Sequence, residues 1–254
     1  HLLFVSNVYP GAEDDTANKK AAKERKERKY SVRTYEQFPP RFWNQWLDDR
    51  KAHLFVQEAR AGAVARDLLA GTQLAASPGF GGSFGDDGQN LEAEWTPDGS
   101  AVIFTALINR EAGARASVNA QIFQVLLSGG EPQRLTNDNY SYGLLGFSPS
   151  GDKLVCAVDF NTAGKIYDLV RLASFSWPWQ SAVPKIINGA LDRSISRYAT
   201  PTGTDRIFFT FEHAGLDELY SVSYAGGDER AETSPVGGSI GALRAGGTAL
   251  VGLW

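Results

Sequence analysis

Gly81-Gly82-Ser83-Phe84-Gly85 has the G-x-S-x-G form of a serine-hydrolase nucleophile elbow. In that chemistry a buried strand runs into a strained turn that lifts the serine, and a following helix supplies an amide to the developing oxyanion. Neither flank has that form. The preceding residues 74–80 contain Pro78 and Gly79 instead of an apolar strand, and residues 85–90, Gly-Asp-Asp-Gly-Gln-Asn, open a helix poorly. Ser83 is therefore expected in a loop between strands, and no catalytic residue is assigned to this chain.

A serine nucleophile also needs a histidine as its base. His1 is terminal, His53 is expected to pack beside a strand, and His213 lies in Phe-Glu-His-Ala-Gly, where a hairpin turn is expected. Only His213 follows Ser83 in the Ser, acid, His order of the α/β-hydrolases. The three histidines are scattered, without H-E-x-x-H or paired-cysteine spacing, so no metal and no cofactor is assigned. Asp14-Asp15, Asp48-Asp49 and Asp86-Asp87 lack the spacing of a calcium loop and read as loop residues.

The elements that position these residues repeat. Trp95-Thr-Pro-Asp-Gly99, Phe147-Ser-Pro-Ser-Gly151 and Ala199-Thr-Pro-Thr-Gly203 each lead into an apolar, β-branched run, and their prolines are spaced 52 residues apart. Residues 243–254 resemble a degraded fourth copy with Ala245 in the proline's place. Proline presets φ at the second position of a tight turn, and glycine takes the left-handed conformation that returns the chain into the next strand. Alternating runs closed by Gly-Gly turns follow at 120–136, 164–172 and 217–233, with a relative at 52–62. Two hairpins per repeat make a four-stranded antiparallel sheet. The expected fold is all-β, a partial β-propeller of about four to five blades across residues 1–254.

Residues 16–30 interrupt the pattern. Lys20/Glu24, Lys23/Glu27 and Glu24/Arg28 at i,i+4 spacing predict an exposed helical excursion, solvated or forming a basic docking surface. The net charge of −4 and pI near 5.5 give no reason to expect nucleic acid or an anionic membrane as partner. No apolar run approaches the roughly 18 residues of a membrane span. One cysteine, Cys156, excludes an internal disulfide framework and suits a reducing or an oxidising compartment. The opening His-Leu-Leu-Phe-Val-Ser-Asn-Val reads as a strand already under way, so the sequence is expected to be a fragment.

Arg41, Trp43, Trp46, Asp48 and the run His53-Leu-Phe-Val56 resemble the N-terminal propeller of the prolyl oligopeptidase family, in its bacterial dipeptidyl and acylaminoacyl peptidase branch. The blade turns at Trp95–Gly99 and Phe147–Gly151 are similar to the same family's. Asp49 departs from the pattern, which has glycine there, and implies a looser turn. The resemblance implies a propeller that filters peptide substrates for a C-terminal α/β-hydrolase domain holding Ser, Asp and His, with that domain outside this chain. It also implies that a propeller group can hold a substrate terminus, for which Glu212 and Arg110 are the candidate loop-end residues. Trp43, Trp46, Trp95, Trp177 and Trp179 are expected to anchor blades. A bacterial compartment follows, periplasm or cytoplasm, with the reading leaning to the periplasm. Two alternatives stay open: a free-standing propeller that binds protein partners, and an independent hydrolase using Ser83.

Overall fold

The computed structural model describes the chain except for residues 13, 36–39, 43, 83–89, 117, 161–167, 234–237 and 254. The chain divides into two compact units, His1–Asn137 and Asp138–Trp254.

Unit 1 holds three sheets. β1 (Leu2–Val8), β4 (Lys51–Gln57) and β5 (Arg66–Asp67) form the first, and β2 (Arg41–Phe42) and β3 (Gln45–Trp46) form a small hairpin. β6 (Ala93–Trp95), β7 (Ala101–Leu107), β8 (Ala120–Leu126) and β9 (Gln133–Arg134) form a four-stranded sheet in chain order. Between them lie helix α1 (Asp15–Lys26), the single turn α2 (Gln73–Ala76) and a 3-10 turn at Arg110–Ala114. The core joins Leu54 and Val56 of β4 to Phe104 and Phe123, stacked 5.6 Å apart on β7 and β8, with Phe80 fully buried among them.

Unit 2 repeats the design. β10 (Ser141–Phe147), β11 (Lys153–Asp159), β12 (Arg171–Ser176) and β13 (Lys185–Ile186) form one meander. β14 (Ile195–Ala199), β15 (Arg206–His213), β16 (Leu216–Ser223) and β17 (Arg230–Ala231) form the next, and β18 (Ala242–Gly246) pairs with β19 (Ala249–Leu253). All strand pairs are antiparallel. Four consecutive antiparallel strands with short links are the blade of a β-propeller, and the chain has that all-β fold. Among the described residues three blades have four strands, and the first sheet has three and the last two.

The turn chemistry is as the sequence predicts. Gly99, Gly151 and Gly203 have φ of +67°, +72° and +80°. At the first turn the Thr96 amide donates to Ala101 O at 3.0 Å and Gly99 N to Thr96 O at 2.8 Å; at the second, Ser148 and Gly151 repeat both bonds at 2.9 and 2.8 Å. The degraded copy also turns, with Gly247 left-handed at φ +59° and Ala245 inside β18. The run at 164–172 differs: residues 164–167 lie outside the described residues, and strand begins only at Arg171.

Carboxylates lock these turns. Asp98 accepts from the Thr96 hydroxyl and the Ser100 amide, which hold its pKa down to about 2. Asp228 accepts from the Ser223 amide and Arg206 and is likewise lowered to about 2. Asp152, through Ser150, and Glu232, through Ser221, are lowered too. Groups whose folded pKa lies below the unfolded value of 3.8 stabilise the fold above that pH and lose the contribution as pH falls through the folded value. Glu94, raised by burial, opposes them as one group against four. The thermal midpoint is therefore expected to fall steadily from pH 4 to pH 2 in a melting series, and a flat profile there would count against these turns.

Candidate functional site

Antiparallel meanders send their connections to two ends. In each unit the turns joining first to second and third to fourth strands, which carry the Pro-x-Gly and Gly-Gly sequences, lie at one end. The links from second to third strand, and from one sheet to the next, lie at the other. Those longer links carry the charged and irregular residues, so this loop end is the candidate site in each unit.

In unit 1 the loop end is built around Lys51, at the start of β4. Its ammonium donates to Ala75 O at 2.8 Å and Ser77 O at 2.7 Å, holding the α2 turn. Lys51 is buried, and burial first, then the Arg110 charge, lowers its pKa. Arg110 opens the 3-10 turn after β7 and is 8% exposed, with its pKa lowered by burial. The segment Gly79–Gly82 lies against that turn: Arg110 N donates to Gly79 O at 3.0 Å, and Gly81 exchanges both backbone hydrogen bonds with Leu107, at 3.1 and 2.7 Å.

This explains the glycine-rich match to G-x-S-x-G. A Cβ on Gly82 would stand 2.0 Å from Asn90 O, and one on Gly79 would stand 2.1 Å from Ile108 O. The glycines permit close backbone approach. The element before them is a helical turn ending at Ala76, so no strand drives into the serine position. Ser83 itself, with Asp86 and Asp87, lies outside the described residues.

His53 is half of a second cluster. Its Nδ1 hydrogen-bonds Asp67 Oδ2 at 2.7 Å, while Asp67 Oδ1 accepts from the Leu69 and Ala70 amides at 2.8 and 3.1 Å. Both side chains are nearly buried. The contact fixes β5 against β4 and turns the chain out of the sheet. A cavity of about 360 Å³ between Val56, Glu58, Val64, Arg66 and Leu127 lies at the opposite, tight-turn end, away from Lys51 and Arg110.

In unit 2 the loop end gathers the β15–β16 hairpin and the links after β13 and β17. Ala214 and Gly215 turn the hairpin, both at positive φ. Glu212 and Asp217 face each other across it, and His213 Nδ1 hydrogen-bonds the buried Glu218 at 3.1 Å. Asp217 is tied to the next link, its amide donating to Ser239 Oγ at 2.8 Å. Arg171 donates to Asn188 O at 3.2 Å, and Asn188 Oδ1 accepts from the Leu172 amide.

The two candidate substrate contacts thus belong to different units: Glu212 is exposed at a hairpin end, and Arg110 is buried behind Gly81. Lys51, Asp67 and Glu218 were not singled out from sequence. The signal available was parity, since Lys51 and His53 share a face of a strand whose other face is apolar. Among the described residues no hydroxyl or thiol hydrogen-bonds a histidine, and no group of three His, Cys, Asp or Glu is placed to hold a metal. Cys156 is fully enclosed, and burial pushes its thiol pKa up, away from nucleophilic chemistry. No described helix is long and apolar enough to cross a membrane.

Other acidic and aromatic residues depart from expectation. Asp14 caps α1, accepting from Ala17 N at 2.7 Å, and Asp15 is its first residue. Asp49, where a loose turn is expected, binds the Arg25 guanidinium and anchors that helix. Trp95 packs against the unit 1 core, and Trp177 and Trp179 pack on Phe147 and Phe175 as expected. Trp46 does not: it is 54% exposed and stacks on Tyr35. Trp43 lies outside the described residues.

No protein-family model and no curated protein matches the sequence. Among solved structures the chain is similar to a putative TolB from Agrobacterium tumefaciens, with 15% identity and a TM-score of 0.47 over 73% of this chain and 56% of that one. It is also similar to a puromycin-hydrolyzing peptidase of Mycobacterium tuberculosis, with 17% identity and a TM-score of 0.48 over 74% of this chain and 27% of that one. A prolyl endopeptidase structure aligns at 12% identity and a TM-score of 0.46, over 76% of this chain and 28% of its own. The chain spans about half or less of the length of these proteins.

Proposed function

We propose that this chain is the non-catalytic propeller portion of a serine peptidase of the prolyl oligopeptidase type, in its dipeptidyl or acylaminoacyl branch. It restricts which peptides reach a hydrolase domain that lies outside the chain. The observation that carries this reading is the use of the histidines: His53 and His213 are each bound to a carboxylate of their own sheet, and no described hydroxyl meets either ring. The resemblance of Arg41, Trp43, Trp46, Asp48 and His53–Val56 supplies the family.

Filtering follows from what blades are good at. A rigid sheet scaffold with charged loops at one end excludes folded proteins by size and selects short peptides by charge. Glu212 is the proposed contact for a peptide ammonium, because its carboxylate is exposed beside Asp217. Arg110 is proposed to act through its field on a peptide carboxylate, since its side chain is covered.

The test is hydrolysis by the longest native product containing this chain, comparing short peptides with unfolded proteins of the same cleavage sequence. The expected result is a rate that falls steeply with substrate length, and a Glu212→Gln variant that raises KM for peptides with a free amino terminus while sparing amino-blocked ones. Equal rates at all lengths would overturn the filter.

A further inference from the structure

We propose that the excursion between β1 and β4 is a docking surface for a short acidic polypeptide segment that carries an aromatic or aliphatic side chain. The inference stands apart from the filter reading and rests on charge and exposure in residues 15–50.

Helix α1 buries no residue. Its inner side is held by a few polar anchors. Asn18 accepts from Tyr9 N at 2.9 Å, and Arg25 lies 4.0 Å over the Tyr9 ring while binding Asp49. A helix so polar gains little from packing, so its outward face is free for another role. Residues 15–50 hold ten Lys and Arg against six Asp and Glu, a net of +4, while the rest of unit 1 has a net of −5. Lys19, Lys20 and Lys23 have acidic partners along the helix at 2.5, 4.0 and 3.8 Å, which stabilise it only slightly at that exposure. Lys26, Arg28, Lys29 and Arg33 have no ion-pair partner among the described residues, and the whole run 26–35 is exposed.

Apolar groups accompany these cations. Tyr30 is 60% and Val32 67% exposed, and Tyr35 stacks on Trp46 at 5.9 Å with Arg41 over the indole. Exposed Trp, Tyr and Arg beside one another have the composition that dominates protein-interface energy. The charge also sets the size of the ligand. A long polyphosphate or an anionic membrane would extend over the acidic remainder of unit 1, where repulsion acts within a Debye length of about 8 Å. A short acidic peptide can pair with Lys26, Arg28, Lys29 and Arg33 and place one apolar side chain against an exposed ring of the same excursion, Tyr30 or Trp46.

The experiment uses the whole chain and a fluorescent Glu-rich peptide carrying one Phe, titrated by anisotropy. A single-stranded oligonucleotide and phosphatidylserine vesicles are run in the same buffer. Saturable peptide binding is expected, weakening about tenfold as salt rises from low to above-physiological levels. The combined Lys26→Glu, Arg28→Glu, Lys29→Glu variant is expected to lose at least about tenfold in affinity, and Trp46→Ala about fivefold, with melting temperatures unchanged because none of these side chains is buried. Absence of peptide binding, tighter binding of the oligonucleotide or vesicles, or equal affinity of the charge-reversed variant would each overturn the proposal.

Discussion

Replacing Asp67 with alanine is expected to destabilise the chain by about 3 kcal/mol or more, because three donors lose one acceptor group in a nearly closed site. The His53 ring and the Leu69 and Ala70 amides all point at this carboxylate. An unsatisfied buried donor costs about 1–3 kcal/mol, and the substitution creates several in one step. In a domain of this size that corresponds to a thermal midpoint lower by about 6–12 °C. Asp67→Asn separates the parts of the effect. It keeps an amide oxygen for Leu69 and Ala70 but changes the group facing His53, so a smaller loss is expected. Equal midpoints for wild type and Asp67→Ala would show that the contact does not hold β5 to β4.

The second large effect is Gly82→Ala, expected to cost about 2–3 kcal/mol or to prevent folding of unit 1, since overpacking against rigid backbone costs on that scale. The added Cβ would meet Asn90 O at 2.0 Å, and a backbone carbonyl cannot swing aside as a side chain can. Ser83→Ala, one residue on, is expected to leave both the melting temperature and any measured activity unchanged. The contrast matters because the two readings of the motif predict opposite patterns. In a nucleophile elbow the serine is indispensable; in a packed strap the glycines are. Denaturant unfolding of Gly82→Ala together with an activity assay of Ser83→Ala decides between them.

The blades were legible because Pro-x-Gly turns are local chemistry: proline and glycine dictate φ at Pro97–Gly99 and Pro149–Gly151 whatever surrounds them. Repetition at 52 residues then implied stacked sheets of one kind. Long-range contacts were not legible. Gly82 meets Asn90 eight residues on, Lys51 finds carbonyls 24 and 26 residues away, and Asp67 is 14 residues from His53. No local propensity encodes those meetings. Helix α1 ends at Lys26, short of the Tyr30 that charge pairing suggested: Lys20–Glu24 and Lys23–Glu27 form, Glu24–Arg28 does not, and Ser31 and β-branched Val32 follow. Trp46 misled because an aromatic residue in a strand-rich chain is usually core, whereas here it sits exposed on a two-residue strand, with Tyr35 and Arg41 against its ring.

The proposed function requires that the nucleophile lie outside this chain. Fluorophosphonate labelling of the longest native product, followed by peptide mapping of the adduct, tests it most directly. The adduct is expected on a serine outside residues 1–254, with this polypeptide expressed alone remaining unlabelled. An adduct on Ser83, or on any serine of the isolated chain, would contradict the account and make the chain an enzyme in its own right.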